Sequence, residues 1–114
     1  MDFKLTKRKM DGVTVLDIAG RITAGDALTV LRQAIRDEVA NGHHKILLNL
    51  ADVPYVDSAG LGEIVRCYTT VSRKGGKLKL INLTKKIQDL LAITKLLTVF
   101  EVYDAEDEAT KSFN

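Results

Sequence analysis

The apolar positions of this chain change period several times, and each change marks an element. Phe3 to Lys9 and Val13 to Ala19 read as strands; the second run is rich in β-branched residues at Val13, Val15 and Ile18. Asp11-Gly12 between them supplies turn chemistry, so the two runs are expected to pair antiparallel. From Ala24 to Ala40 the period becomes helical: Leu28, Leu31, Ile35 and Val39 share a stripe, and Arg32, Arg36, Asp37 and Glu38 fill the other faces. Asn41-Gly42 is a C-terminal stop. Lys45 to Leu50 holds the short run Ile46-Leu47-Leu48-Asn49-Leu50, apolar except for Asn49, as suits a central strand covered on both faces.

Ser58 to Arg73 reads as a second helix, with Leu61, Ile64, Val65, Tyr68 and Val71 or Ser72 on one stripe and Gly75-Gly76 at its end. Lys77 to Asn82 is the next strand, Thr84 to about Leu91 a third helix, Thr98 to Tyr103 a last strand, and Asp104 to Lys111 an acidic-headed closing helix. Strands alternating with helices imply parallel pairing through right-handed crossovers. The pattern therefore predicts an α/β fold: one domain over residues 1–114, a mixed β-sheet, and an antiparallel edge formed by the opening hairpin.

Composition narrows the function more than the fold. A chain of 114 residues buries roughly 65% of its unfolded surface, enough for a core without metals or staples. The net charge of +2 gives no bulk electrostatic case for nucleic acid or a membrane surface. Lys7-Arg8-Lys9 is the only basic run of note, has no interleaved aromatics, and is expected to be a solvated strand end. The single cysteine, Cys67, excludes an internal disulfide and is expected at the core or its boundary. The first residues lack the apolar stretch of a signal peptide, and no run approaches the ~18 apolar residues of a membrane span. A cytoplasmic protein is the expectation.

The most informative segment is Val53-Pro54-Tyr55-Val56-Asp57-Ser58-Ala59-Gly60-Leu61-Gly62, which follows the central strand and opens a helix. Ligands and partners of open α/β sheets gather at such strand ends. Ser58 occupies an N-cap or first-turn position, where a serine often does nothing more than cap. The glycines are less ordinary. Each costs a helix about 1 kcal/mol relative to alanine, so something must approach closely, either the protein's own sheet or a partner.

Catalytic readings of Ser58 fail. A nucleophile elbow needs Gly-x-Ser-x-Gly, and Val56 stands two before the serine. The only bases of the right type, His43 and His44, precede a strand about 20 Å long and are expected at its far end. Those histidines have no neighbouring set of metal ligands beyond Glu38. Gly60 and Gly62 begin a dinucleotide fingerprint, but Val65 holds the third glycine position. No enzyme and no cofactor is predicted.

Phosphorylation of Ser58 fits the turn better. A phosphoserine carries about −1.5 to −2 charges. A helix N-terminus favours it by roughly 0.3–1 kcal/mol, while Asp57 opposes it. The fold should survive modification, and a partner interface should feel it more.

Asp57-Ser58-Ala59-Gly60-Leu61-Gly62 after Asp52-Val53-Pro54-Tyr55-Val56 resembles the STAS domain, specifically the bacterial anti-sigma factor antagonists. Gly20-Arg21-Ile22 before the first helix and Phe100-Glu101-Val102-Tyr103-Asp104 with Glu108-Ala109 near the end are similar too. The resemblance spans almost the whole chain. It implies a STAS-like fold and partner switching. In that scheme the unmodified protein binds an anti-sigma factor serine kinase, frees the sigma factor, is phosphorylated on Ser58 and released, and is reset by a PP2C-type phosphatase. ATP belongs to the kinase. The resemblance places Thr23, Asp57, Ser58, Gly60 and Leu61 in or near the interface, with Arg66, Thr69 and Arg73 as further candidates. Thr23 stands where the family often has an acidic residue, with Asp26 close by. The alternative reading is a structural STAS scaffold in a signalling or transporter assembly, insensitive to replacement of Ser58.

Overall fold

Asp11 and Gly12 both take positive φ, 52° and 81°, the backbone of a two-residue turn that follows the right-handed twist of a hairpin. The turn reverses β1 (Lys4–Met10) into β2 (Val13–Ala19) and pairs them antiparallel from Lys4 opposite Ala19 to Met10 opposite Val13. In the computed structural model, which describes residues 3–114, the chain continues through α1 (Asp26–Ala40), β3 (Lys45–Asp52), α2 (Ser58–Arg73), β4 (Lys77–Ile81), α3 (Lys85–Ile93), β5 (Val102–Tyr103) and α4 (Glu106–Lys111). The five strands lie side by side in chain order, with every pair after the hairpin parallel. The α/β fold with a mixed sheet and an antiparallel edge is the one the alternation predicts.

Because side chains alternate across a strand, the sheet has two faces and two cores. On one face Leu16, Ile18, Ile46, Leu48, Leu50, Leu78 and Leu80 pack under α1, α2 and α3 through Leu31, Ile35, Ile64, Val71, Ile87 and Leu91. Burying each such side chain contributes about 1.5–3 kcal/mol. On the other face Val13, Val15, Leu47 and Ile81 meet Ala109 and Phe113 from the last helical segment, with Tyr103 of β5 packed against them. Leu47 and Leu48, on opposite faces, are both fully buried, so β3 is the doubly covered strand its apolar run implies. Asn49, the polar residue within the run over residues 46–50, donates to Asp17 Oδ1 at 2.8 Å and accepts from Asn82 at 3.1 Å.

Several expectations are corrected. Helix α1 begins at Asp26 and not Ala24, because Gly25 at φ 121° holds the chain outside the helical region. The last strand shrinks to Val102–Tyr103, since Leu96–Thr98 forms a 3-10 turn first. The Lys7-Arg8-Lys9 run is no merely solvated strand end. Alternation sends Lys7 and Lys9 to Glu38 on one face, and Arg8 to Asp17 and Glu106 on the other. Glu38, predicted on a polar face of α1, is buried for the same reason: Thr14 at 2.8 Å, the two lysines and His43 at 3.0 Å satisfy its oxygens. Lys79 on β4 is buried as well, with its ammonium 2.9 Å from Ser112 Oγ and 4.6 Å from the Phe113 ring centroid. Cys67 belongs to the core itself. Burial and the adjacent Glu63 push its thiol up to about 12, so it is unreactive at neutral pH. Among the described residues no helix is long and apolar enough to cross a membrane.

Candidate functional site

Beyond the register shift after Asp17, β2 and β3 continue side by side as loops. Gly20 N–H donates to the Asp52 carbonyl at 3.0 Å, Ile22 N–H to the Tyr55 carbonyl at 3.1 Å, and Asp57 N–H to the Ile22 carbonyl at 3.3 Å. Ile22 forms an isolated parallel bridge with Val56 and is fully buried. This zipper carries the β2–α1 loop, including the half-buried Thr23, up to the start of α2.

Asp57 closes the zipper. Its extended backbone precedes the helix, and its carboxylate accepts from Gly60 N–H at 2.7 Å and from Ala24 N–H at 3.1 Å. One side chain thus caps α2 and ties down the loop before α1. These amide bonds, Gly60 first, hold the Asp57 carboxyl below the usual range. Ser58 is therefore not the cap. It is the first residue of α2, exposed, and no side chain among the described residues hydrogen-bonds its hydroxyl. Since Asp57 does the capping, Ser58 has no structural task at this position.

The two glycines prove to be different. A Cβ on Gly60 would overlap the Ile22 carbonyl oxygen and lie 2.8 Å from its carbon. Gly60 is buried, and its requirement is internal: the helix starts in contact with the zipper. Gly62 is exposed, and a Cβ there would meet nothing within 4 Å. Of the remaining candidates, Leu61 is half-buried against the core, Arg66 and Arg73 are exposed, and Thr69 is half-buried, its hydroxyl donating to the Val65 carbonyl at 3.1 Å. On the other flank of the turn, Tyr55, Val56, Ile87, Leu90 and Ile93 line a shallow apolar groove. Ile93 is 79% exposed there.

His43 and His44 precede β3 and Ser58 follows it. The eight residues of that strand set them about 25 Å apart, and His43 is engaged by Glu38. Among the described residues, no histidine lies at the turn. What it offers is an exposed hydroxyl at a helix N-terminus, beside an apolar groove and a bare stretch of helix.

Sequence reasoning missed one residue at this site and the role of another. Glu63, one turn into α2, is buried and gathers Arg32 from α1 and Arg66 from its own helix. Asp57 was placed near the interface without its clamping role. An Asp three residues before a glycine amide at a helix start was the available signal for the latter; nothing in the linear pattern marks the former.

Known proteins are similar to this chain in sequence and fold. The sequence profile of the STAS domain matches residues 4–109. A Thermotoga neapolitana protein, provisionally named an anti-sigma factor antagonist, is 37% identical over 81 residues, which cover 70% of this chain and 72% of that one. The anti-sigma-B factor antagonist of Bacillus subtilis is 31% identical over 102 residues, covering 90% and 92%. The crystal structure of a Thermotoga maritima protein, also provisionally named an anti-sigma factor antagonist, superposes with a TM-score of 0.88 at 27% identity, covering 96% and 93%.

Proposed function

The chain belongs to the STAS domain family, and from that premise we propose that it is an anti-sigma factor antagonist that switches partners through phosphorylation of Ser58. The observation that carries this reading is the division of labour at the turn. Asp57 caps α2, which leaves the Ser58 hydroxyl exposed and unengaged at the point where backbone amides favour an anion. In the unmodified state the turn, Thr23 and the first two turns of α2 bind an anti-sigma factor serine kinase, and the sigma factor is freed. The kinase transfers the γ-phosphoryl group of ATP to the Ser58 oxygen, with ADP leaving and the hydroxyl proton lost. A PP2C-type phosphatase hydrolyses the ester and restores the hydroxyl.

The phosphate acts on the partner and not on the fold. Its charge lies beside Asp57, which offsets what the helix N-terminus contributes. Set against a like charge or a dry surface of the kinase, it costs several kcal/mol, and about 3 kcal/mol is roughly a hundredfold in affinity. The protein works as a regulatory binding module of the cytoplasm, one STAS domain over residues 1–114, without a cofactor of its own.

The test is intact-mass analysis after incubation with the serine kinase and ATP, alongside binding measurements. One phosphate is expected on the wild type and none on Ser58→Ala, with Ser58→Asp binding the kinase about a hundredfold more weakly. A wild-type protein that binds the kinase yet gains no phosphate would refute the switch.

A further inference from the structure

Glu63 is 1% exposed on a surface helix, in the seam where α1 meets α2. Its Oε1 accepts from Arg32 Nε at 3.2 Å, from Arg32 Nη2 at 2.6 Å and from Arg66 Nη1 at 3.0 Å. Its other oxygen faces the Cys67 thiol at 3.8 Å. A buried ionic cluster of this kind gives little stability over an apolar replacement of similar volume, because desolvation offsets the attraction. What it does provide is placement. Two guanidinium groups from different helices are fixed side by side at the surface, 38% and 62% exposed. Each has five N–H donors; Glu63 takes two from Arg32 and one from Arg66, and the others have no acceptor among the described residues.

Gly62 is the second, independent observation. Ser58, Gly62 and Arg66 are four residues apart and all exposed, so they form one line along α2, about 12 Å long at the helical rise. A glycine inside a helix is unfavourable, and here no internal neighbour requires it, since a Cβ would stand in open space. The gap in the middle of the line admits a chain from outside.

We propose that the Ser58–Gly62–Arg66 line together with Arg32 is the docking strip for an acidic segment of the serine kinase. Glu63 acts as the positioning residue that holds both arginines ready. The inference rests on the reading above that the chain is a kinase substrate. Charge complementarity selects the occupant, because planar guanidinium groups with spare donors match carboxylates in a two-point geometry. Nucleic acid would need a broad basic face, and two guanidinium groups do not make one. The strip also accounts for the direction of the switch. A phosphate on Ser58 sets negative charge at the head of a surface that receives an acidic segment, and repels it.

The experiment measures affinity of the full chain for the anti-sigma serine kinases of the same genome, each in turn, by calorimetry at two salt concentrations. Arg32→Gln and Arg66→Gln are each expected to bind about tenfold more weakly, with a smaller salt dependence. Gly62→Ala is expected to bind about tenfold more weakly while its Tm stays level or rises, a pairing that a purely structural glycine would not produce. Wild-type affinity in all three variants, with Ser58→Asp still weakened, overturns the strip alone. Wild-type affinity in Ser58→Asp overturns the kinase-substrate reading beneath it.

Discussion

Ahead of β3, Glu38 is 2% exposed and its oxygens are met by Lys7, Lys9, Thr14 and His43. Behind β3, Asp57 is met by two amides, but no side chain among the described residues meets the Ser58 hydroxyl next to it, Gly62 presents bare backbone, and Arg66 keeps donors to spare. Both ends are polar and both carry a carboxylate at a structural joint. The first end is closed: its carboxylate is met on both oxygens, and lysines on β1 are tied to α1 across β2. The second is half closed, with the joint satisfied and the outer groups left for something else. A polar cluster that satisfies itself stabilises a fold, whereas one with unused donors and an exposed hydroxyl at a strand end is suited to binding.

The sharpest way to break this contrast is at the joint of the second end. Gly60→Ala drives a Cβ into the Ile22 carbonyl, and because neither backbone can give way, the loss should exceed about 3 kcal/mol. A denaturant melt with wild-type midpoint would show that the zipper is looser than its geometry.

The closed end is tested next. Burial by itself would raise the Glu38 carboxyl, but hydrogen bonds from Lys7, Thr14, Lys9 and His43 outweigh it and bring it to about 2 from 4.5. The folded value is depressed, so the stabilisation is present above the unfolded value and is lost as pH falls from about 4.5 towards 2. With allowance for screening of the half-exposed lysines, Glu38→Gln should cost about 2 kcal/mol at neutral pH. That difference should vanish near pH 2, as followed by thermal melts across the acid range.

Smaller effects are expected at the open end. Gly62→Ala should raise stability by about 0.5–1 kcal/mol, the opposite sign to its neighbour two residues earlier. Ser58→Asp should change stability by no more than about 0.5 kcal/mol, which circular dichroism melts will resolve. A large loss there would move the action of a phosphate from the partner surface to the fold.

Much of the architecture was legible in the linear pattern because it rests on periodicity. The Asp11-Gly12 turn, the helical stripe of Leu31 and Ile35, and the apolar run of β3 each report local geometry that tertiary contacts reinforce. Boundaries were less legible where one residue departs from the pattern, as at Gly25, or where a 3-10 turn replaces strand before β5. Ser58 stood out in the sequence, but its role as a cap passed to Asp57 once the carboxylate was seen to accept from Gly60 and Ala24.

The sequence by itself determined the alternation of strands and helices, the hairpin at the start, the position of the Asp57-Ser58 turn behind the central strand, and the absence of a nucleophile elbow around Ser58. These follow from spacing along one chain, which local backbone geometry converts directly into structure. Only the tertiary structure decided which polar residues are buried and which glycine serves which purpose. Glu38, Glu63 and Lys79 look like surface residues until partners from β1, α1 and the C-terminal segment arrive to satisfy them. Gly60 and Gly62 look equivalent until Ile22 is brought against one and left far from the other. The reason is physical: the cost of burying a charge or adding a methyl group depends on neighbours distant in sequence, and those neighbours exist only after the chain has folded.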